Sequence, residues 1–489
     1  MGSKKSRNPF AFTQWPVTVI TVGVYIALVV ALLYTHHVVP SPSSDTPVKG
    51  VNLTEAWRDL QVLSEGFHPF NSHKNDVVRS WLLQRINEIL VANKAQYTVQ
   101  GPCNAALSSA SMSSAPGSPV IVFNDLVSNG TWSSPKGNNS VYFEGNNIMV
   151  YVRGSEDGAT NWWHDVDEDE ESSAPHTHGV MVNAHFDSVS TGFGATDAGV
   201  GVISVLQLIK YYTTSGNQPK RGFVALLNNG EEDYLNGARA FMRHPLSRFP
   251  DTFLNLEGTG AGGRAVLFRS TDAEVTNAYE TSPYPFGTVL AGDFFKRGVI
   301  ASQTDYVIFN EALGLRGLDI AFFEPRSKYH TSNDAARFVG KESIWHMLSA
   351  AVATTRGLTG DTTTDFSAGK GHDGVWFDLL GRAFGITTLH TMFALSVTLL
   401  VVPAVLMMVL AFLLINSDKY YLFARKGKSD PLDPNSPDDE VIVSFNGWRG
   451  LFRFPIAFVL ATAAVVGLAY LITKINPMII YSSQYAVWR

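Results

Sequence analysis

The stretch Val180-Met-Val-Asn-Ala-His-Phe-Asp187 is an apolar run that ends in two polar residues, His185 and Asp187. A short apolar run of this kind is typical of a strand that is buried on both faces. A helical pattern follows from Ala198 to Tyr212, and a second buried strand is predicted from Gly222 to Leu227. Buried strands that are separated by helices indicate an α/β domain with parallel strands.

The same alternation continues along the chain. A second helix is predicted from Glu231 to Arg243, and further strands are predicted at Thr252–Leu256, Ala265–Phe268 and Leu318–Phe323. We therefore predict the α/β fold class, as a three-layer α/β/α sandwich around a mostly parallel central sheet. In such sheets, ligands bind beyond the carboxyl ends of the strands.

Three uncharged apolar stretches have the length that a bilayer-spanning helix requires. They are residues 17–34, 389–415 and 454–472, and we predict a transmembrane helix at each. A cleaved signal peptide is the alternative for the first stretch. The residues after it, which include His36, His37 and Pro40, do not form a small-residue cleavage site, so an uncleaved anchor is favoured.

Basic residues predict the orientation of these spans, because Lys and Arg are enriched on the cytosolic side. They cluster before the first span and between the second and third, at Lys4, Lys5, Arg7, Lys419, Arg425, Lys426 and Lys428. The prediction is a cytosolic N-terminus at 1–16, a lumenal domain at 35–388, a cytosolic loop at 416–453 and a lumenal C-terminus at 473–489. The Pro-, Ser- and Thr-rich segment Pro40–Val48 is predicted to be a linker out of the membrane.

Three N-glycosylation sequons all fall in the region that is predicted to be lumenal, at Asn52, Asn129 and Asn138. The formal net charge is −6, and no basic stripe is interleaved with aromatic residues, so nucleic acid is not an expected partner. Cys103 is the only cysteine, which excludes an intrachain disulfide and a thiolate metal cluster. The lipid bilayer is an expected partner, and the oligomeric state is not predicted.

Polar residues follow the predicted strands at the ends where ligands bind. They are His185, Asp187, Asp197, Glu231, Glu232, Glu257 and His330. Each one alone is ordinary, since a carboxylate that opens a helix is usually a cap and a histidine after a strand is usually structural. Together, two histidines and several carboxylates are the nitrogen and oxygen ligands that a hydrolytic zinc site requires.

Two zinc ions a few ångströms apart need a shared carboxylate, and Asp197 suits that role. His185 and Glu257 are predicted to hold one ion, and Glu232 and His330 the other. The spacing His185-Phe-Asp187 allows the Asp187 carboxylate to accept the second imidazole proton of the ligand.

The side chains of Glu231 and Glu232 cannot point the same way, because they are consecutive residues. One can therefore bind metal while the other faces water. Burial beside a like charge raises the pKa of a carboxyl group, which suits a general base, and Glu231 is the predicted base.

The ordered motifs His185-Phe-Asp187, Thr196-Asp197-Ala-Gly, Asn229-Gly-Glu231-Glu232, Asn255-Leu-Glu257-Gly and Tyr329-His330-Thr331 resemble those of the co-catalytic zinc peptidases. That family includes bacterial leucyl aminopeptidases and glutamate carboxypeptidase. Within it the chain is most similar to a membrane-bound branch of the fungal vacuole and the endoplasmic reticulum. The likeness covers about Trp57 to Leu358 and continues through the three spans, including the stretch that begins at Ser302 and the one that begins at Asn476.

This resemblance implies an aminopeptidase-type exopeptidase that acts on peptide substrates with two Zn²⁺ ions, the ligand roles given above, and a location in the vacuolar membrane. It also implies that Tyr329 donates a hydrogen bond to the oxyanion. Two departures stand out. Many soluble members have Asp where Glu257 stands, and members of the membrane-bound branch usually continue into more spans than this chain contains.

Two other functions remain open at this point. A glutaminyl cyclase resembles this fold but works with one zinc ion, whereas the set His185, Asp197 and Glu257 predicts a second. A catalytically silent receptor or scaffold usually lacks a ligand or the base, and none is missing here. A transporter is disfavoured, because the spans contain no internal charged residue.

Overall fold

The computed structural model describes residues 14–101, 119–134, 139–158, 179–367, 369–416, 424–427, 441–444 and 453–477. Its strands are β1 Tyr97–Gln100, β2 Val120–Asn124, β3 Asn129–Ser134, β4 Asn139–Glu144, β5 Ile148–Val152, β6 Gly179–His185, β7 Phe223–Asn228, β8 Pro250–Gly258, β9 Ala265–Ser270, β10 Arg316–Phe322, β11 Gly374–Leu379, β12 Ala383–Thr388, β13 Ala424–Gly427 and β14 Val441–Ser444. Its helices are α1 Gln14–His37, α2 Leu53–Leu63, α3 His73–Ala92, α4 Val200–Thr213, α5 Asn236–Phe241, α6 Ala273–Asn277, α7 Leu290–Lys296, α8 Lys341–Gly360, α9 Leu389–Asn416 and α10 Arg453–Ile475.

The strand that ends at His185 lies inside an eight-stranded sheet. The strand order is β1-β2-β5-β7-β6-β8-β10-β9. The four neighbours β7, β6, β8 and β10 are parallel, and β9 pairs antiparallel with β10 at one edge. Every residue of β6 and β7 is buried, as expected for strands that are covered on both faces. The carboxyl ends of the four parallel strands therefore lie along one side of the sheet.

Helices cover both faces of this sheet. On one face, apolar residues of α2, α3, α4 and α8 pack with β6 and β8 in a single buried cluster. On the other face, a second cluster contains Phe241 of α5 with Phe249, Phe253 and Phe309. The predicted α/β/α sandwich with a mostly parallel sheet is confirmed.

The predicted helix from Glu231 to Arg243 is wrong. Residues 231–235 form a turn, and regular helix is limited to α5. Tyr234 and Leu235 have φ values of 74° and 59°, which no α-helix accommodates. The N–H groups of Gly230, Glu231 and Glu232 donate to the Asp187 carboxylate, so a tertiary contact holds the loop in a non-helical form that the local pattern does not reveal.

Three helices are long and apolar enough to cross a membrane, at Trp15–His37, Leu389–Leu413 and Ile456–Ile475. They overlap the three predicted spans, with bounds that differ by a few residues. One compact unit ends at Thr388 and a second begins at Leu389. Most of the predicted segments 1–16, 416–453 and 473–489 lies outside the described residues, as does the predicted sequon residue Asn138.

The predicted linker Pro40–Val48 is not free of the domain. The Asp45 carboxylate accepts hydrogen bonds from Lys341 of α8 (2.9 Å) and from Thr54 of α2 (2.7 Å). Val48 packs partly against the main core cluster. The second half of this segment is therefore docked on the domain.

His346 of α8 makes the stability of the domain depend on pH. Its ring is buried, and its Nδ1 accepts a hydrogen bond from the Ala265 N–H (3.2 Å), an arrangement that only the neutral ring permits. Burial and the nearby Arg264 guanidinium lower the pKa of His346 to about 3. A histidine in an unfolded chain has a pKa of about 6.5. On acidification, His346 therefore binds a proton in the unfolded chain but stays neutral in the folded protein.

The stabilisation is therefore complete above about pH 6.5 and is lost as the pH falls below that value. When the pH falls from 7 to 4.5, we expect proton binding by His346 in the unfolded chain to lower the free energy of unfolding by about 2–3 kcal/mol. Melting temperatures of the detergent-solubilised chain should fall less on acidification in His346→Gln than in the unmodified protein. His73, whose ring is fully exposed, provides the matched control His73→Gln. Equal pH dependence in all three proteins would contradict this assignment.

Candidate metal centre

Four parallel strands bring the predicted ligands to one side of the sheet. His185 is the last residue of β6, and Glu231 and Glu232 lie just beyond the end of β7. Glu257 is the penultimate residue of β8, and His330 lies in the loop after β10. Because these four strands are neighbours and parallel, side chains that are far apart in sequence meet at their carboxyl ends.

Asp197 reaches the same place from an irregular turn that precedes α4. Gly194 begins this turn with a φ of 61°, and the φ and ψ of Asp197 are not helical. The Asp334 carboxylate holds the turn, because it accepts hydrogen bonds from the Thr196 N–H (3.0 Å) and hydroxyl (2.7 Å) and from the Asp197 N–H (3.3 Å). The sequence analysis did not identify Asp334, since a single acidic residue in a loop carries no local signal of such a role.

Two sets of donors share Asp197. His185, Asp197 and Glu257 form one set, and Asp197, Glu232 and His330 form the other; within each set the ligand atoms lie within 4.8 Å of one another. The His185 Nε2 lies 3.5 Å from a carboxylate oxygen of Asp197 and 3.5 Å from one of Glu257. The His330 Nε2 lies 3.1 Å from oxygens of Asp197 and Glu232.

The donor atoms of these sets are buried but make few hydrogen bonds. Among the described residues, the His185 Nε2, Asp197 Oδ2, Glu232 Oε1 and His330 Nε2 atoms all lack a hydrogen-bond partner. Buried polar atoms without partners are costly, and a cation that is bound between nitrogen and oxygen donors removes that cost. The chemistry of both sets therefore fits a metal ion such as zinc.

The crowding of carboxylates shifts the pKa values of the site. Burial and the Glu257 carboxylate raise the pKa of Glu231 well above its usual value. Burial and Asp197 raise the pKa of Glu232 to about 8. Burial lowers the pKa of His330, but the Asp197 and Glu232 carboxylates, each 3.1 Å from its Nε2, outweigh that effect and raise the pKa to about 9. Such a site strongly favours added positive charge.

Glu231 belongs to neither donor set. Its nearest carboxylate oxygen lies 3.9 Å from the His185 Nε2, and both Glu231 and Glu232 border the same cavity. The Asp187 carboxylate positions their loop through the N–H groups of Gly230 (2.8 Å), Glu231 (3.2 Å) and Glu232 (3.3 Å). The two adjacent carboxylates therefore reach the site in different directions.

The contact between Asp187 and His185 differs in detail from the predicted one. The His185 Nδ1 lies 3.0 Å from the main-chain carbonyl oxygen of Asp187, whereas the nearer carboxylate oxygen is 3.4 Å away. The carbonyl is thus the closer acceptor for the second ring proton. The carboxylate mainly holds the loop that carries Glu231.

Glu257 is supported by a buried polar network that the sequence analysis did not assign. The Asn255 amide donates to Glu257 (3.3 Å) and to Asp319 (3.0 Å), and Asp319 pairs with the Arg269 guanidinium at 2.6 Å.

Asp305, which lies in the stretch that carried the resemblance, accepts hydrogen bonds from Asn183 and Asn228 beneath His185. Burial and Glu257 raise the pKa of Asp305 to about 8.

A cavity of about 540 Å³ opens beside the donor sets. Tyr329 lies at its edge with its ring stacked on His330 at 3.7 Å, and burial and Asp197 raise the pKa of its hydroxyl. The cavity lining also includes the apolar side chains of Leu235, Phe268, Phe295, Ile300 and Phe323. Polar donors and an apolar wall therefore face the same space.

Two of the predicted glycosylation residues are described. Asn129 is exposed at the start of β3. Asn52 is half-buried, and its side-chain oxygen accepts a hydrogen bond from the Glu55 N–H at the start of α2. Asn129 is the more accessible of the two.

Comparison with known proteins agrees with this geometry. Residues 168–355 match the profile of Peptidase family M28, a range that contains every predicted ligand and the predicted base. The chain therefore contains a region similar to family M28 peptidases, here called the M28 domain. Residues 452–489, beyond the M28 domain, match the profile described as the vacuolar membrane protease transmembrane domain.

The vacuolar membrane protease of Aspergillus niger is 54% identical to this chain over 98% of the chain and 48% of the relative. The chain therefore spans about half the length of this curated relative. Among solved structures, LapB of Legionella pneumophila is 14% identical, with a TM-score of 0.42 over 73% of this chain and 84% of LapB. A glutaminyl cyclase of Porphyromonas gingivalis is also 14% identical, with a TM-score of 0.41 over 63% of this chain and 99% of the cyclase. Likenesses this weak do not distinguish a peptidase from a cyclase.

Proposed function

We propose that the chain is a membrane-anchored zinc aminopeptidase that holds two Zn²⁺ ions. The observation that carries this proposal is the pair of donor sets that share Asp197, with Glu231 beside them and in neither set. One complete set would suffice for a single-zinc cyclase. The second set and a spare buried carboxylate support hydrolysis with two metal ions.

The M28 domain supplies a residue for each step of that reaction. His185 and Glu257 would hold one zinc ion, Glu232 and His330 the other, and Asp197 would bridge them. Zinc at these donors would supply Lewis acidity, polarising the peptide carbonyl and making water a better nucleophile. Glu231 takes the proton of the attacking water and returns it to the leaving amine. The Tyr329 hydroxyl donates a hydrogen bond to the oxyanion.

The charge of the cavity supports recognition of a free amino terminus. Asp197, Glu231, Glu232 and Glu257 all line it, and among the described residues Arg326 is the one Lys or Arg that does so. The Arg326 guanidinium is already engaged, as it donates to the Thr259 carbonyl (2.7 Å) and lies over the Tyr329 ring. Because zinc would offset the charge of the three ligand carboxylates, the deciding feature of the lining is the engaged Arg326: no free Lys or Arg of the described lining remains to bind a terminal carboxylate, which favours a peptide amino terminus.

The location is proposed from the membrane helices and the relatives. The basic residues around the candidate spans support a lumenal M28 domain. The curated relative is named for the vacuolar membrane, which makes that membrane the proposed location.

Digestion of defined peptides by the full chain in lipid nanodiscs tests the proposal. We expect zinc-dependent release of the first residue from a free peptide and from its C-amidated form. The N-acetylated peptide should resist cleavage, because its blocked terminus cannot pair with the carboxylates. Cleavage of the N-acetylated peptide with protection of the C-amidated one would reverse the assigned specificity. Cyclisation of an N-terminal glutamine without hydrolysis would replace the peptidase proposal with a cyclase.

A further inference from the structure

The hairpin β11–β12 has an outward face without charge. Directly paired residues share one face of a two-stranded sheet, and the pairs on this face are Val375–Thr387, Phe377–Gly385 and Leu379–Ala383. Phe377 and Leu379 are 38% and 57% exposed, whereas Trp376 and Phe384 on the opposite face are buried. The outward face of a solvated antiparallel hairpin is normally polar. This apolar face is suited to a non-aqueous surface.

The tip of the hairpin is also apolar. Its backbone conformation favours residues other than leucine. Leu380 and Gly381 have φ values of 53° and 62°, and the Arg382 N–H donates to the Leu379 carbonyl (3.1 Å), as in a type I′ turn. Asn and Gly are the residues that adopt this conformation readily, and leucine does so unfavourably. Leu380 nevertheless stands here with 44% of its surface exposed.

The tip lies beside the last turn of the first candidate span. The Thr35 hydroxyl of α1 donates to the Leu380 carbonyl (3.4 Å), and the Arg264 guanidinium donates to the carbonyl of Val38 (2.8 Å), just after α1. Thr35 is buried, in contrast to the exposed turns of α1 that precede it. The hairpin tip is therefore at the level where α1 leaves the bilayer.

The other end of the hairpin leads into the second candidate span. Thr388 ends β12, and Leu389, the next residue in the sequence, begins α9. Chain connectivity therefore brings the C-terminal end of the hairpin to the start of a candidate span. We propose that the outward face of the β11–β12 hairpin lies on the lipid bilayer and seats the M28 domain on the membrane surface. The exposed Arg382 at its tip suits anionic headgroups.

This contact places the metal centre close to the membrane. Glu324 lies 2.7 Å from His36 in the last turn of α1, and it begins the loop that carries Tyr329 and His330 to the site. His330 lies six positions after Glu324 in the sequence, so their Cα atoms are at most about 22 Å apart. On the basis of the proposed function, the substrates are peptides whose free amino ends lie at the bilayer surface.

Spin labels on the full chain in vesicles of phosphatidylcholine and phosphatidylserine test the bilayer contact. With Cys103→Ser as background, Leu379→Cys carries one label and Val77→Cys, with 58% exposure, carries a matched control label. We expect the label at position 379 to be several-fold less accessible to a water-soluble nickel relaxant, and more accessible to oxygen, than the label at position 77. Equal accessibility to the nickel relaxant at both positions would overturn the contact.

Leu380→Asn tests the consequence for substrates, because asparagine suits the turn and the variant should fold at least as well. Its hydrolysis of a lipid-tethered peptide should fall several-fold relative to that of the same peptide free in solution. An unchanged ratio would overturn the inference about substrates. If the unmodified chain cleaves neither peptide, the proposed function fails, while the spin-label result still decides the contact.

Discussion

Replacement of Glu231 by glutamine is expected to lower peptide turnover by about 10²–10⁴-fold, the range that general acid–base catalysis contributes. Glu231 is buried beside both donor sets but belongs to neither, so its loss removes the proton acceptor without removing a ligand. Glutamine has nearly the same size, and it should leave the loop in place. The zinc content of the variant, measured by mass spectrometry, should therefore match that of the unmodified protein.

The matched control is Asp233→Asn, the same carboxylate-to-amide change two residues further along the loop. Asp233 is exposed and lies outside both donor sets. The control should retain most of its turnover. Near-normal turnover in Glu231→Gln with full zinc content would remove Glu231 from the role of base.

Replacement of Asp197 by asparagine is expected to affect both metal ions at once. Its carboxylate is common to the two donor sets, and an amide offers one weaker neutral oxygen. We expect zinc content to fall from two ions per chain to nearly none, with loss of detectable turnover. His185→Ala removes a donor from one set only, and it should leave one ion bound.

The comparison between these two variants also separates a two-zinc peptidase from a single-zinc enzyme. A stoichiometry of one zinc in the unmodified chain would contradict the two-ion proposal. So would an Asp197→Asn protein that retains two ions. Melting temperatures measured with and without a chelator would show that the variants are folded.

The sheet was predictable because its central strands carry their signal locally. Strands such as β6 and β7 are buried on both faces and are apolar for most of their length, so short windows of sequence reveal them. The helix predicted from Glu231 failed for the opposite reason. Its shape depends on hydrogen bonds to Asp187, more than forty residues away, which no local window contains.

The supporting residues of the site were also beyond local reasoning. Asp334 fixes the turn of Asp197 through hydrogen bonds, and Arg269 acts on Glu257 indirectly, through Asp319 and Asn255. A single acidic or basic residue in a strand or loop has many ordinary uses. Its role appears only when the strand order brings its partner within hydrogen-bond distance.

The sequence by itself determined the α/β alternation, the apolar stretches that are long enough to cross a membrane, and the kinds of side chain available to bind metal. The reason is that periodicity, length and side-chain chemistry can be read from neighbouring residues. Tertiary structure decided which donors form a set, since β7, β6, β8 and β10 lie side by side although they are far apart in the chain. It also decided that the hairpin tip meets the end of α1, because Thr35 and Leu380 are 345 residues apart and only folding brings them together.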